Sequence, residues 1–255
     1  MNESKKLGLV LVTPIFILLT HYIAMLPHEY MHSFVAWVLG DKSNPLALTY
    51  GGTSWPNLLL LLHMDENVNY DLIMSMGHHA HVALIAFSGA GFANVPLFIL
   101  SLWLLNKDKI KNAPYLYYFL FLFNLMNLGN FYDYVPIRTF STQGDVANFV
   151  HGLNISPWWV YIIGGYIVAF LIWHFFTRTM VTAFIDLGLT ITAKASLMIV
   201  CVCILFGYFG GPGFVGQGVI SFFLSATSFI AIPGLVAGLW PTRTWVVGRL
   251  NRNTP

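Results

Sequence analysis

GLVLVTPIFILLTHYIAMLPHEYMHSFVAWVL, residues 8–39, is an apolar run that carries His28-Glu29-Tyr30-Met31-His32 near its end. About 20 apolar residues suffice to cross the hydrocarbon core of a bilayer, so the run reads as a membrane helix. On a helix, residues four apart share a face, and the imidazoles of His28 and His32 can reach one metal ion. Glu29 then lies beside that ion, where it can take a proton from water. Two imidazoles and a carboxylate are costly in lipid and mark a candidate functional site. The blander reading is a polar cluster that only packs helices together, or a helix end lying in water.

The rest of the chain fits a membrane setting. Of 255 residues, 57% are hydrophobic and 9% charged, against about a quarter charged in a soluble domain. Apolar runs predict six spans, about 8–39, 80–105, 114–135, 157–177, 184–209 and 216–240. The expected fold is therefore all-α, a polytopic membrane protein forming a single domain over 1–255. Residues 8–150 would form a three-helix catalytic core and 151–255 three accessory helices. A net charge of +2 gives no case for nucleic acid as a partner. Cys201 and Cys203, the only cysteines, are two apart in an apolar run and poorly placed to bond each other.

The basic residues report orientation. Lys5, Lys6, Lys107, Lys109, Lys111, Arg178, Arg243, Arg249 and Arg252 all fall on one side of a six-span chain, which predicts cytoplasmic termini. The start MNESKK resembles a signal peptide in outline, but the apolar run continues to Leu39, too long for a signal core, so no cleavage is expected. The first span, at 1.5 Å per residue, reaches roughly 48 Å and must tilt, kink or protrude. Pro14 and Pro27 are the expected kink sites. The motif then falls in the outer part of the bilayer.

Residues 41–79 form a long outer connection. Leu46–Tyr50 before Gly51-Gly52 reads as a short strand and turn. Trp55, Pro56 and the leucines to Leu62 read as an interfacial or re-entrant segment. An edge strand beside a metal site would suit an extended peptide.

A hydrolytic metal site needs a third protein ligand and an open position for water. Asp145, in Thr142-Gln143-Gly144-Asp145, lies on the same side as the two histidines. Asp133 and the cluster His78, His79 and His81 compete for that role, and a helix cap or solvated charge is the plain alternative for either aspartate. His21 shares the ligand face if the helix is continuous through Pro27, and His151 is the best placed of the remaining histidines. Asn94 closes the small-residue stretch Ser88-Gly89-Ala90-Gly91-Phe92-Ala93-Asn94, which lets helices approach closely. Its amide can hydrogen-bond a substrate backbone or a developing oxyanion. Asp186 and Lys194 are placed in one span, on one face, without assigned chemistry.

The order of these features over residues 20–150 resembles the site-two protease family of intramembrane zinc metalloproteases. HExxH lies in the first core helix, a small-residue turn ending in Asn in the second, and Pro136 followed by Asp145 after the third. The resemblance implies Zn2+ held by His28, His32 and Asp145, Glu29 as the base, and Asn94 on the substrate strand. It implies membrane-spanning or membrane-associated protein substrates. Pro27 stands where the family usually has an aliphatic residue, and Gly144 precedes the Asp rather than following it. The charge pattern puts the site toward the outer face, whereas the family's site is generally reached from the cytoplasmic side. Two other classes fit parts of the pattern: a di-iron oxygenase or desaturase-like enzyme using the histidine cluster, and a non-catalytic metal-binding subunit or transporter.

Overall fold

The computed structural model describes residues 3–253, with side chains from Gly8 to Asn251. Met1 and Asn2 of the leader-like start, and the side chains of Lys5, Lys6 and Arg252, lie outside the described residues. Within them every regular element is a helix. Its elements are α1 (Glu3–Val38), α2 (Trp55–Leu60), α3 (Tyr70–Ser75), α4 (His79–Leu105), α5 (Asp108–Lys111) and α6 (Pro114–Tyr132). There follow α7 (Asp145–Leu153), α8 (Pro157–Asp186), α9 (Ile191–Phe214), α10 (Val219–Leu239) and α11 (Thr244–Asn253). The strand expected at Leu46–Tyr50 does not form. The one β interaction among the described residues is an isolated antiparallel bridge, Thr49 with Asp65. The segment is too short, and too close to the turn at Gly51 (φ +69°), to extend the pairing.

Among the described residues, five helices are long and apolar enough to cross a membrane: α1 from Gly8, α4, α8, α9 and α10. Apolar side chains cover much of their outer surface, with Ile163 57%, Tyr166 78% and Ile230 78% exposed. Such a surface suits lipid better than water. The third expected span, 114–135, is the helix α6, which is not among the five. It carries Asn124, Asn127 and Asn130, all buried. The other helices surround it, so these amides meet protein instead of lipid. Asn124 Nδ2 donates to Ser101 Oγ at 2.9 Å and to the Phe98 carbonyl at 3.2 Å. Phe121 and Phe175 stack across α6 and α8, and Tyr132 and Phe206 pack edge-on across α6 and α9, in one continuous core.

Two expected boundaries move, the end of the fourth span from about 177 to Asp186 and the start of the fifth from about 184 to Ile191. The fourth span does not end before Arg178. With no proline or glycine between Gly165 and Leu187, α8 continues through Arg178 to Asp186 and turns at Gly188 (φ +56°). Asp186 and Lys194 therefore lie on different helices, and Asp186 pairs with Lys111 at 3.9 Å. Pro14 and Pro27, the expected kink sites, both sit inside an α1 that stays helical from Glu3 to Val38.

The two ends of the bundle differ in charge. Lys111, Arg178, Asp186 and Arg249 line one cavity at one end, where Arg249 Nη1 donates to the Thr177 carbonyl at 2.7 Å. Leu9 and Val10 at the start of α1 face Leu187 and Leu189 at that same end. The opposite end carries the long 41–69 connection and the polar residues of α7. This connection dips back along α1. The Leu60 carbonyl lies 2.9 Å from His21 Nε2, and Tyr22 Oη donates to the Leu58 carbonyl. His21 is seven residues before His28, so α2 descends roughly 10 Å past the motif, as a re-entrant segment would.

Candidate metal centre

α1 is helical through the whole motif, so His28 and His32 stack one turn apart and point their Nε2 atoms to the same place. These two nitrogens are 3.0 Å apart. Asp145 Oδ2 completes a triangle, 3.4 Å from His28 Nε2 and 3.3 Å from His32 Nε2. Zinc binds N and O donors at about 2.0–2.1 Å, so two ligand atoms on a tetrahedron lie about 3.3 Å apart. The triangle matches that spacing. Both imidazoles are buried, while the Asp145 side chain is 20% exposed.

The second ring nitrogens fix the orientation. His28 Nδ1 is 2.5 Å from Asn94 Oδ1, and His32 Nδ1 is 2.6 Å from the Ile85 carbonyl. Each partner is an acceptor, so each Nδ1 carries the proton and each Nε2 presents a lone pair inward. Asn94 is itself held. Its Nδ2 donates to the Ala24 carbonyl at 2.9 Å and to Asn127 Oδ1 at 3.0 Å. Pro27 supplies no N–H to the carbonyl one turn back, and Asn94 reaches α1 in that same turn. Asn94 has no spare donor for a substrate strand, so its geometry fits the positioning of His28 instead.

Three local features make room for this set. The stretch Gly89–Asn94 forms a π-helical turn in α4, which widens the helix and brings Asn94 inward. A Cβ at Gly89 would overlap the Nε2 atoms of both His32 and His28. Asp145 starts α7 directly after Gly144 (φ +85°), with its carboxylate at the favourable, positive end of the helix.

The other sequence candidates fall elsewhere. Asp133 is tied to Arg138 through Nε at 3.0 Å and Nη2 at 2.5 Å, so it pairs with a guanidinium and does not join the triangle. His78 and His81 gather instead around Asp41, and His79 Nδ1 faces Met74 Sδ at 2.7 Å. His151 lies with Gly144, Asn148 and Asp71 around a polar cavity of about 700 Å³ outside Asp145. Glu29 is buried beside the triangle, and its carboxylate makes no hydrogen bond or ion pair among the described residues.

Four neighbours of the centre were not legible as such: Gly89, Ile85 through its carbonyl, Asn127 and Tyr134. Tyr134 Oη lies 2.8 Å from His28 Nε2, and its ring stacks on that imidazole at 5.3 Å and 10°. Arg138 covers the other part of the tyrosine, with its guanidinium carbon 4.5 Å from the ring centre. The spacing Asn124, Asn127, Asn130 was the available signal for a polar face on α6. Comparison of the chain with protein-family models, with curated proteins and with solved structures returns no match.

Proposed function

We propose that the protein is a multi-pass membrane endopeptidase of the site-two protease kind, with one zinc ion held by His28, His32 and Asp145. The observation that carries this reading is the closed triangle of His28 Nε2, His32 Nε2 and Asp145 Oδ2, with sides of 3.0 to 3.4 Å. Its donor set, its spacing and the two oriented Nδ1 atoms all suit zinc. Zinc bound there would supply Lewis-acid polarisation of a peptide carbonyl and make the attacking water more acidic.

The residues of the chain do the rest. Glu29, adjacent to His28 on α1 and without a competing partner, takes the proton from the attacking water and delivers it to the leaving amine. Tyr134 Oη is placed to donate to the carbonyl oxygen as charge builds on it. Asn94 and the Ile85 carbonyl keep both imidazoles in the required tautomer. The polar cavity beside Gly144 supplies water from the end of the bundle opposite Lys111 and Arg249. In this reading α6 is a sixth crossing and both termini are cytoplasmic. The substrate is a membrane-spanning or membrane-associated polypeptide. It must unwind locally, because helical carbonyls are already hydrogen-bonded.

The di-iron alternative needs the histidine cluster at the same centre. His81 precedes Gly89 by eight residues of α4, roughly 12 Å, too far for ions that share ligands. The testing experiment is cleavage of quenched-fluorescent transmembrane peptides in proteoliposomes. Wild type should cleave and Glu29→Gln should not, while both hold the same zinc. Zinc bound with no cleavage of any such peptide, across sequences containing helix breakers, would favour a non-catalytic metal-binding subunit.

A further inference from the structure

We propose that Asp41, His78 and His81 form a second binding site, for a divalent transition-metal ion of the zinc class, at the outer end of the bundle. The inference does not depend on the endopeptidase reading. It starts from three backbone devices. α1 ends in a Schellman motif: Gly40 takes φ +85°, Gly40 N–H bonds the Trp37 carbonyl, and Asp41 N–H bonds the Ala36 carbonyl. α3 ends in the same way, with Gly77 at φ +80°, Gly77 N–H on the Met74 carbonyl and His78 N–H on the Ile73 carbonyl. Asp41 and His78 are thus equivalent residues of two helix stops that face each other. His81 follows one turn into α4, its N–H on the His78 carbonyl at 3.0 Å.

The side chains converge. His81 Nδ1 lies 2.7 Å from Asp41 Oδ2, and His78 Nδ1 lies 3.4 Å from Asp41 Oδ1. The two imidazole rings are 4.8 Å apart, and one ligand atom from each residue falls within 4.8 Å of the others. Two imidazoles and one carboxylate, with the His78 side chain 47% exposed, leave a position open to water. That donor set suits zinc, nickel or copper and not magnesium or calcium.

Electrostatics asks for a cation here. The Asp41 side chain is 4% exposed and lies at the negative end of the 36-residue α1, which has no basic residue in its last turn. The adjacent Lys42 does not compensate it. Its ammonium is turned to the carbonyls of Ala47 and Glu66. Among the described residues the only charged or chargeable groups that pair with Asp41 are His78 and His81. A cation would staple the end of α1 to the start of α4, the two helices that carry His32 and Gly89 a little over two turns further along. The seam between them is otherwise closed by Ala36, Ile73, Val82 and Ile85.

The test counts zinc on full-length protein in detergent, loaded from a buffered zinc solution and washed. Folding of each variant is checked by size-exclusion chromatography. Wild type should hold two equivalents, and Asp41→Asn, His78→Ala and His28→Ala one each. Zinc should still raise Tm in His28→Ala and should lose that effect when Asp41→Asn is added. Because His78 is exposed, its loss spares the fold. Wild-type zinc content in both His78→Ala and Asp41→Asn would overturn the proposal and leave Asp41 in a simple imidazolium pair. One equivalent in wild type, lost only in His28→Ala, overturns it while sparing the endopeptidase. One equivalent lost only in His78→Ala supports it and removes the endopeptidase centre.

Discussion

Asn94 and Tyr134 touch the same imidazole from opposite roles. Asn94 accepts from His28 Nδ1 and sets the tautomer, so Asn94→Ala should weaken zinc binding about 10- to 100-fold, read by competition with a chelator. Unchanged affinity would show that His28 is held by packing alone. Tyr134 faces the inner nitrogen instead. Tyr134→Phe should keep zinc and lower kcat by about two to three orders of magnitude with little change in KM, the signature of a donor used in the transition state. A rise in KM with kcat preserved would assign the tyrosine to substrate binding. The convergence of His28 and His32 was legible at this scale because it depends only on four-residue spacing along one helix. Asp145 was reached by elimination of sides, and the structure brings it to the two histidines. Tyr134 carried no sequence signal, because its placement depends on how the chain turns after α6 at Val135 (φ −137°, ψ 111°).

At the level of the elements, two close approaches set the site. The Gly89 Cα abuts both imidazoles, so Gly89→Ala should expel the metal from a protein that still folds. Zinc lost from the first centre, with an unchanged elution profile, is the expected result. Gly152 does the same for α7. A Cβ there would lie 2.6 Å from Ala83 N and 2.7 Å from the His79 carbonyl, both backbone atoms that cannot step aside. Gly152→Ala should push α7 from α4, lift Asp145 off the triangle and reduce zinc occupancy. Full occupancy would mean that α7 can slide without moving its first residue. The length of the apolar runs located α1, α4, α9 and α10 because lipid-facing helices are apolar all round. It misjudged the end of α8, where Arg178 looked like a loop charge, and the 46–50 strand, which needed a partner that Thr49 and Asp65 supply at only one position. The π turn of α4 was invisible, since small residues permit it without requiring it.

The whole molecule presents two polar ends joined by an apolar belt. Trp37, Trp158 and Trp159 stand exposed toward the end that carries Asp41 and Asp145. Trp103, Trp240 and Trp245 stand exposed toward the end that carries Lys111 and Arg249, with Lys107 Nζ 4.1 Å from the Trp103 ring centre. Such girdles suit membrane interfaces, and the topology proposed above puts the basic end in the cytoplasm. Single-cysteine reporters should bear this out in intact cells. Asn69→Cys should react with an impermeant maleimide added outside, and Lys109→Cys only after permeabilisation. The reverse pattern would invert the topology and put the metal centre on the cytoplasmic side. The central claim is that one ion sits between His28, His32 and Asp145. Its most direct test is the zinc content of wild type, His28→Ala, Glu29→Gln and Asp145→Asn, each in an Asp41→Asn background that removes the outer site. The proposed function predicts one zinc per chain in the parent, none in His28→Ala, a reduced amount in Asp145→Asn and the full amount in Glu29→Gln. Iron in place of zinc, or zinc indifferent to His28→Ala, would contradict it.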